Sequence, residues 1–527
     1  LMVSSQNISQ IHSIKVAGAI SDVIQSTLGP RSSLKMILDN QGRLIVTNDG
    51  NCILREIEAT HPIACSLIEL SRAQENEVGD GTTSVVIMAS EILKITEILL
   101  KKGFNPNQII GAYYKGLNRG IFFLEDQVTT DIKIENFDEI KKVVSTCIGT
   151  KLVSRFSRLI CELSFKAMKN FGSNRRYHET KYFVKVEKIT SGSIEQSKIF
   201  PGLMLEKDVS HSKMRRFIDN PKIILLDCPI EFKKGETLTS SFEITGRKQW
   251  EKILKMEEDH VIYLCNLLKI FNPDLIISEK AVSEIAIHYL NKLNISVLKR
   301  VKKSDNIRIS KATGATVVSS IEDLEYSDLG KASKFVVKKI GDENYSFIIG
   351  KHGSFPCTAL LFGPSRDILD EMERNLNDAI EVTKTILSSP KILPGGGASE
   401  MAIADFLLKK SEKFKNANFF VFKTMAMAFE IIPKTLIQNC GNSPIHRMNQ
   451  LRNFHSHKGF FFGIDGKNGN IIDTRKTGIF DIYHVKVQIF KIAFENAATI
   501  LRIDKIISGI SPKNHNQDLT KGPKKYQ

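Results

Sequence analysis

Gly79-Asp80-Gly81-Thr82-Thr83-Ser84 is the stretch of this chain whose residue types and spacing are best suited to chemistry. Two glycines let backbone amides approach an anion closely. The apolar pattern that follows, through about Leu100, predicts a helix whose N-terminus offers unpaired N–H groups and a favourable dipole. Thr82, Thr83 and Ser84 add hydroxyl donors, and Asp80 can hold a magnesium ion. The same string also fits an ordinary turn leading into a capped helix. It is not a Walker A loop, because neither G-x-x-x-x-G-K-[ST] nor a G-x-G-x-x-G after a strand occurs at this point. A phosphate cradle here must be of another design.

The flanking elements decide what could reach this turn. Val16, Ile20, Val23, Ile24 and Leu28 recur at mostly three- and four-residue spacing and predict a helix stopped by Gly29-Pro30. Met36-Ile37-Leu38 and Leu44-Ile45-Val46 flank the turn-forming Asn40-Gln41-Gly42, which predicts a hairpin. Asn48-Asp49-Gly50 makes the next turn, so Asp49 sits at a strand exit. A helical pattern runs from His61 to Gln74. In the middle of the chain, Ile223-Ile224-Leu225-Leu226, Leu275-Ile276-Ile277 and Ile295-Ser296-Val297-Leu298 alternate with helical patterns, as in an α/β unit. Between the first two lies Gly246 to Leu268, an amphipathic helical segment with the only tryptophan, Trp250. After residue 361 a helix is expected with Leu369, Met372, Leu376, Ala379 and Ile380 on one face. Helical patterns then dominate to about Ser508, apart from a hairpin around Asp465 to Asn470. The polar stretch from Pro512 to Gln527 has little to bury and is expected to be disordered. The order helical, α/β, helical suggests one domain interrupted by insertions.

Composition sets the bounds. A chain of 527 residues with 42% apolar content can bury substantial cores, and at about 150 residues per domain it suggests roughly three domains. The formal net charge of +16 raises nucleic acid or an anionic membrane as a partner. However, the basic residues fall in small dispersed clusters, none interleaved with the aromatic residues of a single-strand groove. Nucleic-acid binding is therefore disfavoured. The eight cysteines are scattered, without a C-x-x-C pair or a His partner at metal-ligand spacing, and read as reduced, mostly buried thiols. No charged and then apolar leader opens the chain, and no run approaches the roughly 18 apolar residues of a membrane span. A soluble intracellular protein is expected.

Four strings in this order, Leu28-Gly29-Pro30-Arg31, Thr47-Asn48-Asp49-Gly50, Gly79 to Thr83 and Leu393-Pro394-Gly395-Gly396-Gly397, together resemble the nucleotide pocket of the chaperonins. The resemblance extends through Arg55-Glu56-Ile57, Met214-Arg215-Arg216, Glu373-Arg374-Asn375-Leu376-Asn377-Asp378-Ala379 and Leu501-Arg502-Ile503-Asp504. The long insertion after Glu236 is similar to the helical protrusion of the group II chaperonins, archaeal and eukaryotic. The strings Pro394 to Met401 and Leu436 to Gly441 most resemble the gamma branch of the eukaryotic cytosolic complex.

That resemblance implies a multidomain α and α/β fold. Residues 1–135 and 398–527 would form a helical equatorial domain and residues 136–201 and 361–397 a small intermediate hinge domain. Residues 202–360 would form an apical α/β domain with a helical lid protrusion at about 237–268. It implies ATP and magnesium as cofactors. Leu28, Gly29, Pro30 and Gly79 to Ser84 would wrap the phosphates and Asp80 would hold the metal. Asp49 and Asp378 would be catalytic, positioning and polarising the attacking water. Gly396, Gly397 and Asp481 would contact base and ribose, and Lys151 would sense the nucleotide. Without the resemblance, Asp378 would read as an exposed carboxylate on an amphipathic helix and Lys151 as a surface lysine. Two departures stand out: Asp481-Ile482 replaces the usual Glu-Pro near the sugar, losing the rigid proline, and Arg31 stands where lysine is frequent.

The implied function is ATP-driven enclosure and folding of non-native polypeptides such as actin and tubulin. It would act in the cytoplasm, within a double ring of paralogous subunits and without a membrane partner. Two alternatives remain open on the sequence: a mainly structural ring subunit with little hydrolysis, and a basic nucleic-acid-binding protein.

Overall fold

The structure is a computed structural model that describes residues 5–38, 42, 44–133, 137–151, 155–169, 183–232, 247–350, 356–412 and 418–504. Its helical body is built around Thr82–Lys101, a helix apolar on nearly every side, with Val85, Val86, Met88, Ala89, Leu93 and Leu99 all buried. Such a helix is stable only when surrounded. Ser5–Gln25, Pro62–Glu77, Pro106–Phe123, Asn418–Phe429 and Tyr483–Arg502 surround it and share one apolar core. Segments distant in sequence are stitched together by side-chain amides. Gln10 donates to the Leu501 carbonyl at 3.1 Å, and Asn439 donates to the Leu28 carbonyl at 2.8 Å.

The expected hairpin is present as Lys35–Leu38 paired antiparallel with Leu44–Thr47. The helix expected from His61 begins at Pro62, with His61 as its N-cap accepting the Ile63 amide. The second hairpin is Phe462–Ile464 with Ile471–Asp473. The pattern near Asp49 hid a short helix, Gly50–Arg55, whose six residues span under two turns and so show no periodicity.

A second core draws its buried residues from the span 203–348. Lys222–Leu226, Leu275–Ser278 and Ser296–Leu298 lie parallel and adjacent, and Val317–Val318 pairs parallel on the other side of Lys222–Leu226. Gly330–Ile340 and Glu343–Gly350 extend the sheet antiparallel. The continuous apolar runs in the parallel strands follow from burial on both faces. The helix Arg247–Ile270 anchors its C-terminal half here through Val261, Leu264, Cys265 and Leu268, while Trp250, Leu254 and Met256 are exposed. The first part of the expected protrusion, residues 237–246, lies outside the described residues, as does the expected disordered tail. In Glu284–Lys292, Ile287 and Leu290 are buried, Tyr289 is half-buried and Ile285 is exposed.

Between the two cores, Cys357–Phe362 pairs parallel with Val184–Ile189 and antiparallel with Lys198–Phe200. Arg366–Ser388 packs beside Phe137–Ile148 and Ser157–Lys169, with Leu369, Met372, Leu376, Ala379 and Ile380 buried as their spacing predicts. These three helices join the core of the helical body.

All eight cysteines are free thiols. The expectation that most are buried is corrected: only Cys161, Cys265 and Cys357 are fully so, four are half-buried, and Cys65 is exposed. Cys65 lies near the start of Pro62–Glu77, on the side of that helix away from the core formed by Ile63, Leu67 and Leu70.

Candidate active site

The Gly79 to Ser84 stretch turns sharply before entering Thr82–Lys101. Gly79 and Gly81 both adopt left-handed backbone conformations, with φ of 76° and 81°. A Cβ on Gly79 would press on Glu381 at 2.7 Å, so the glycine is required by sterics as well as by dihedral angle. Gln74 donates to the Asp80 carbonyl at 2.9 Å, and the Asp80 carboxylate accepts the Gly81 amide at 2.7 Å. Gly81 is the N-cap and supplies no side chain to the first-turn amides of the helix. That N-terminus is thus open to an anion.

The turn faces a cleft of about 580 Å³. Leu28, Gly29 and Pro30, the run Asp80, Gly81, Thr82, Thr83 and Ser84, and Gly396, Gly397 and Asp481 line it together with Lys151. Gly79, Asp49 and Asp378 lie behind this lining. Asp49 is connected to it by Thr82, whose hydroxyl donates to Asp49 Oδ1 at 3.4 Å, and by Lys151.

Lys151 Nζ stands 3.0 Å from Asp378 Oδ2 and 3.4 Å from Asp49 Oδ1. The alternative of a freely exposed carboxylate and a surface lysine is overturned, since the Asp378 side chain is 21% exposed and that of Lys151 only 13%. Asp49 Oδ2 also accepts the Cys52 amide at 3.0 Å, capping Gly50–Arg55. Burial opposes the charge of Asp49, but Lys151, that amide and Arg374 outweigh it and hold the carboxyl below its usual range. Asp378 has fewer such partners. Burial pushes it up to about 7, with the charges of Asp49 and Asp80 adding to the effect and Lys151 only partly opposing it. Burial also works against the Lys151 charge, but Asp378 and Asp49 prevail and hold it well above an ordinary lysine. Two carboxylates sharing one ammonium are pushed apart in proton affinity.

Among the described residues no group of three or more His, Cys, Asp or Glu side chains forms a cation cage. The donor set nevertheless suits magnesium, which takes one or two carboxylates and fills its other positions with phosphate oxygens and water. Asp80 beside an uncapped helix N-terminus offers that combination, and the three carboxylates against one lysine leave negative charge for a cation to balance.

Two buried networks escaped the sequence reading. Glu371, 1% exposed, pairs with Arg374 at 3.0 Å and accepts the Thr47 hydroxyl at 3.2 Å, while Arg374 donates to Cys52 Sγ at 3.0 Å. This ties the helix bearing Asp378 to the strand exit bearing Asp49. In the other, Lys486 contacts Glu400 at 2.6 Å and Asp481 at 3.1 Å. Charged residues at positions whose helical neighbours are apolar are the only sequence signal for either.

The chain has relatives among known proteins. The model of the TCP-1/cpn60 chaperonin family matches residues 20–511, and the chain belongs to that family. Its mixed α and α/β architecture is the multidomain chaperonin fold. Within the family, it is 44% identical over 505 residues to T-complex protein 1 subunit gamma of Schizosaccharomyces pombe, covering 95% of each chain. It is 44% identical to that of Arabidopsis thaliana, over 96% of this chain and 92% of the relative. To the Homo sapiens protein it is 43% identical, over 96% and 94%. The gamma-like strings noted in the sequence thus accompany a similarity along nearly the whole chain. No helix among the described residues is long and apolar enough to cross a membrane.

Proposed function

We propose that this chaperonin subunit binds and hydrolyses ATP within a hetero-oligomeric double ring in the cytoplasm, and so drives the enclosure and folding of non-native polypeptides, actin and tubulin among them. The observation that carries the proposal is the convergence of Asp49, Asp378 and Lys151 behind an uncapped helix N-terminus. In this reading the amides and hydroxyls of Thr82, Thr83 and Ser84 receive the phosphates, with Leu28, Gly29 and Pro30 opposite. Asp80 would hold magnesium, which neutralises phosphate charge when bound. Asp49, kept ionised by its partners, orients the attacking water, and Asp378 accepts its proton as the bond to phosphorus forms. Lys151 would give up its carboxylate contacts as the terminal phosphate enters, and thereby report its presence. Gly396, Gly397 and Asp481 would hold base and sugar.

Mechanical coupling follows from where the two acids sit. Asp378 belongs to Arg366–Ser388, on the segment proposed as an intermediate hinge domain (136–201 and 361–397). Asp49 belongs to the helical equatorial domain (1–135 and 398–527). The site is complete only while the hinge is closed, so hydrolysis would occur only then. The domain of residues 202–360 would move with it and bind clients.

The test is magnesium-dependent ATP hydrolysis by rings purified through this subunit, comparing wild type with an Asp49→Ala, Asp378→Ala double variant. A fall in hydrolysis by intact variant rings supports the proposal. Unchanged hydrolysis would favour a mainly structural subunit.

A further inference from the structure

Lys486 is a buried lysine whose role neither phosphate binding nor water activation accounts for. It stands in the first turn of Tyr483–Arg502, and its ammonium bridges Glu400 at 2.6 Å and Asp481 at 3.1 Å. Glu400 is 1% exposed and lies on the neighbouring helix Ala398–Ser411, where the Ser399 hydroxyl donates to its second oxygen at 2.8 Å. Both oxygens of Glu400 are thus committed inside the protein. Asp481 is different: its Oδ2 faces Lys486, while among the described residues Oδ1 has no hydrogen-bond partner, and the residue lines the cleft.

The backbone around Asp481 is fixed independently. Phe480–Ile482 pairs antiparallel with Lys391–Pro394, placing Asp481 opposite Leu393. Gly395 packs so closely that a Cβ there would meet the Asp481 carboxylate carbon at 3.3 Å. Burial pushes the Asp481 carboxyl upward, and Glu400 adds to this, while Lys486 opposes both.

We propose that Lys486, seated on Glu400, is a positioning residue that holds Asp481 as a charged acceptor for a hydroxyl of the nucleotide sugar. The inference rests on the reading of the cleft as a nucleotide site and deepens it, since it assigns ribose selectivity to three side chains that act as a unit. The sugar hydroxyl donates to Oδ1, and Lys486 fixes the direction of that oxygen through Oδ2.

The test is photolabelling of this subunit by 8-azido-ATP in assembled rings, in competition with ATP, 2′-deoxyATP or 3′-deoxyATP. In wild type, ATP should compete better than at least one deoxynucleotide by about tenfold, the scale of one charge-assisted hydrogen bond. Lys486→Met should reduce that preference to about twofold or less, and Lys486→Arg, which keeps the charge, should restore much of it. Lys486→Met leaves Glu400 buried without a counter-charge, which endangers folding. The double variant Lys486→Met, Glu400→Gln removes both charges, keeps the Ser399 contact, and should show the same loss. A merely structural lysine would weaken all three competitors alike. A wild-type ratio persisting in either variant, or no preference in wild type, overturns the inference. Absence of labelling in wild type would overturn the nucleotide reading itself, and the inference with it.

Discussion

Asp49 and Asp378 divide one ammonium between them, and their other partners give them opposite proton affinities. Asp49 is committed on both oxygens, to the Cys52 amide and to Thr82 and Lys151, and stays ionised. Asp378, pushed up to about 7, has the proton affinity of a general base working near neutrality. Asp378→Ala should leave 8-azido-ATP labelling of this subunit intact while slowing its turnover at least about a hundredfold, the usual cost of losing a general base. Normal turnover by the labelled variant subunit would remove the assignment. A base must be ionised to accept a proton, so turnover in wild type should fall as pH drops through about 7. Asp378→Asn should abolish that acid limb along with the activity. Thiol chemistry follows the same logic of burial. Burial raises Cys161 and Cys265 to about 11 and Cys357 to about 12, so they should resist iodoacetamide at pH 8 in the native chain, while exposed Cys65 reacts. Mass mapping that finds Cys357 modified as fast as Cys65 would contradict the packing described.

On the proposed reading, Arg366–Ser388 is the element on which catalysis and closure would meet. Its apolar stripe joins the main core, and its polar side reaches across to Thr47 and Cys52 through Glu371 and Arg374. Among the described residues, buried polar atoms of Asn48, Asn51, Glu371, Arg374 and Asn375 have no hydrogen-bond partner at this junction, and incomplete satisfaction of this kind makes an interface easier to open. Arg374→Ala should strand the Glu371 carboxylate, costing about 3–5 kcal/mol of stability. It should also lower turnover more than nucleotide binding, because the Asp49 and Asp378 segments lose their cross-link. Chemical denaturation and single-turnover assays on the variant measure the two effects, and equal losses of binding and turnover would refute the positioning role. The helix itself was legible: Leu369, Met372, Leu376, Ala379 and Ile380 mark its buried face, and the Asn40-Gln41-Gly42 turn signal marked the first hairpin. The latch was not, because Glu371 and Arg374 are charged residues whose burial depends on a segment some 320 residues away, and no local pattern encodes that. Gly50–Arg55 was missed for the opposite reason, being too short to show a period. At the cleft, Asp80 and the hydroxyls were legible from helix-terminus chemistry, whereas Lys486 became visible only once the pairing of Phe480–Ile482 with Lys391–Pro394 brought the segment bearing Glu400 to it.

Across the whole molecule, apolar burial is divided between two large cores, and their sequence origins differ. The main core combines residues as far apart as Ile14 and Leu501, so it cannot close until nearly all of the chain is present. The second draws every member from 203 to 348. Among the described residues, a small buried cluster, Ile189, Met204, Tyr345, Phe347 and Leu360, lies across the boundary between that span and its flanks. Loop-closure entropy therefore opposes formation of the first core far more than the second. A fragment of residues 202–360 carries the whole second core, the parallel strands and their antiparallel extension, and should fold by itself. It should unfold in one cooperative transition in urea, with near-UV circular dichroism and tryptophan fluorescence from Trp250 measured alongside far-UV ellipticity. Trp250 is exposed, so its fluorescence should change little while the other two signals coincide. A fragment with helical far-UV signal but no cooperative transition would mean that the sheet depends on the helical body, and the proposed division into independently moving domains would fall. Cooperative folding would instead support the proposed division, in which the α/β unit is an autonomous body able to move with a closing hinge.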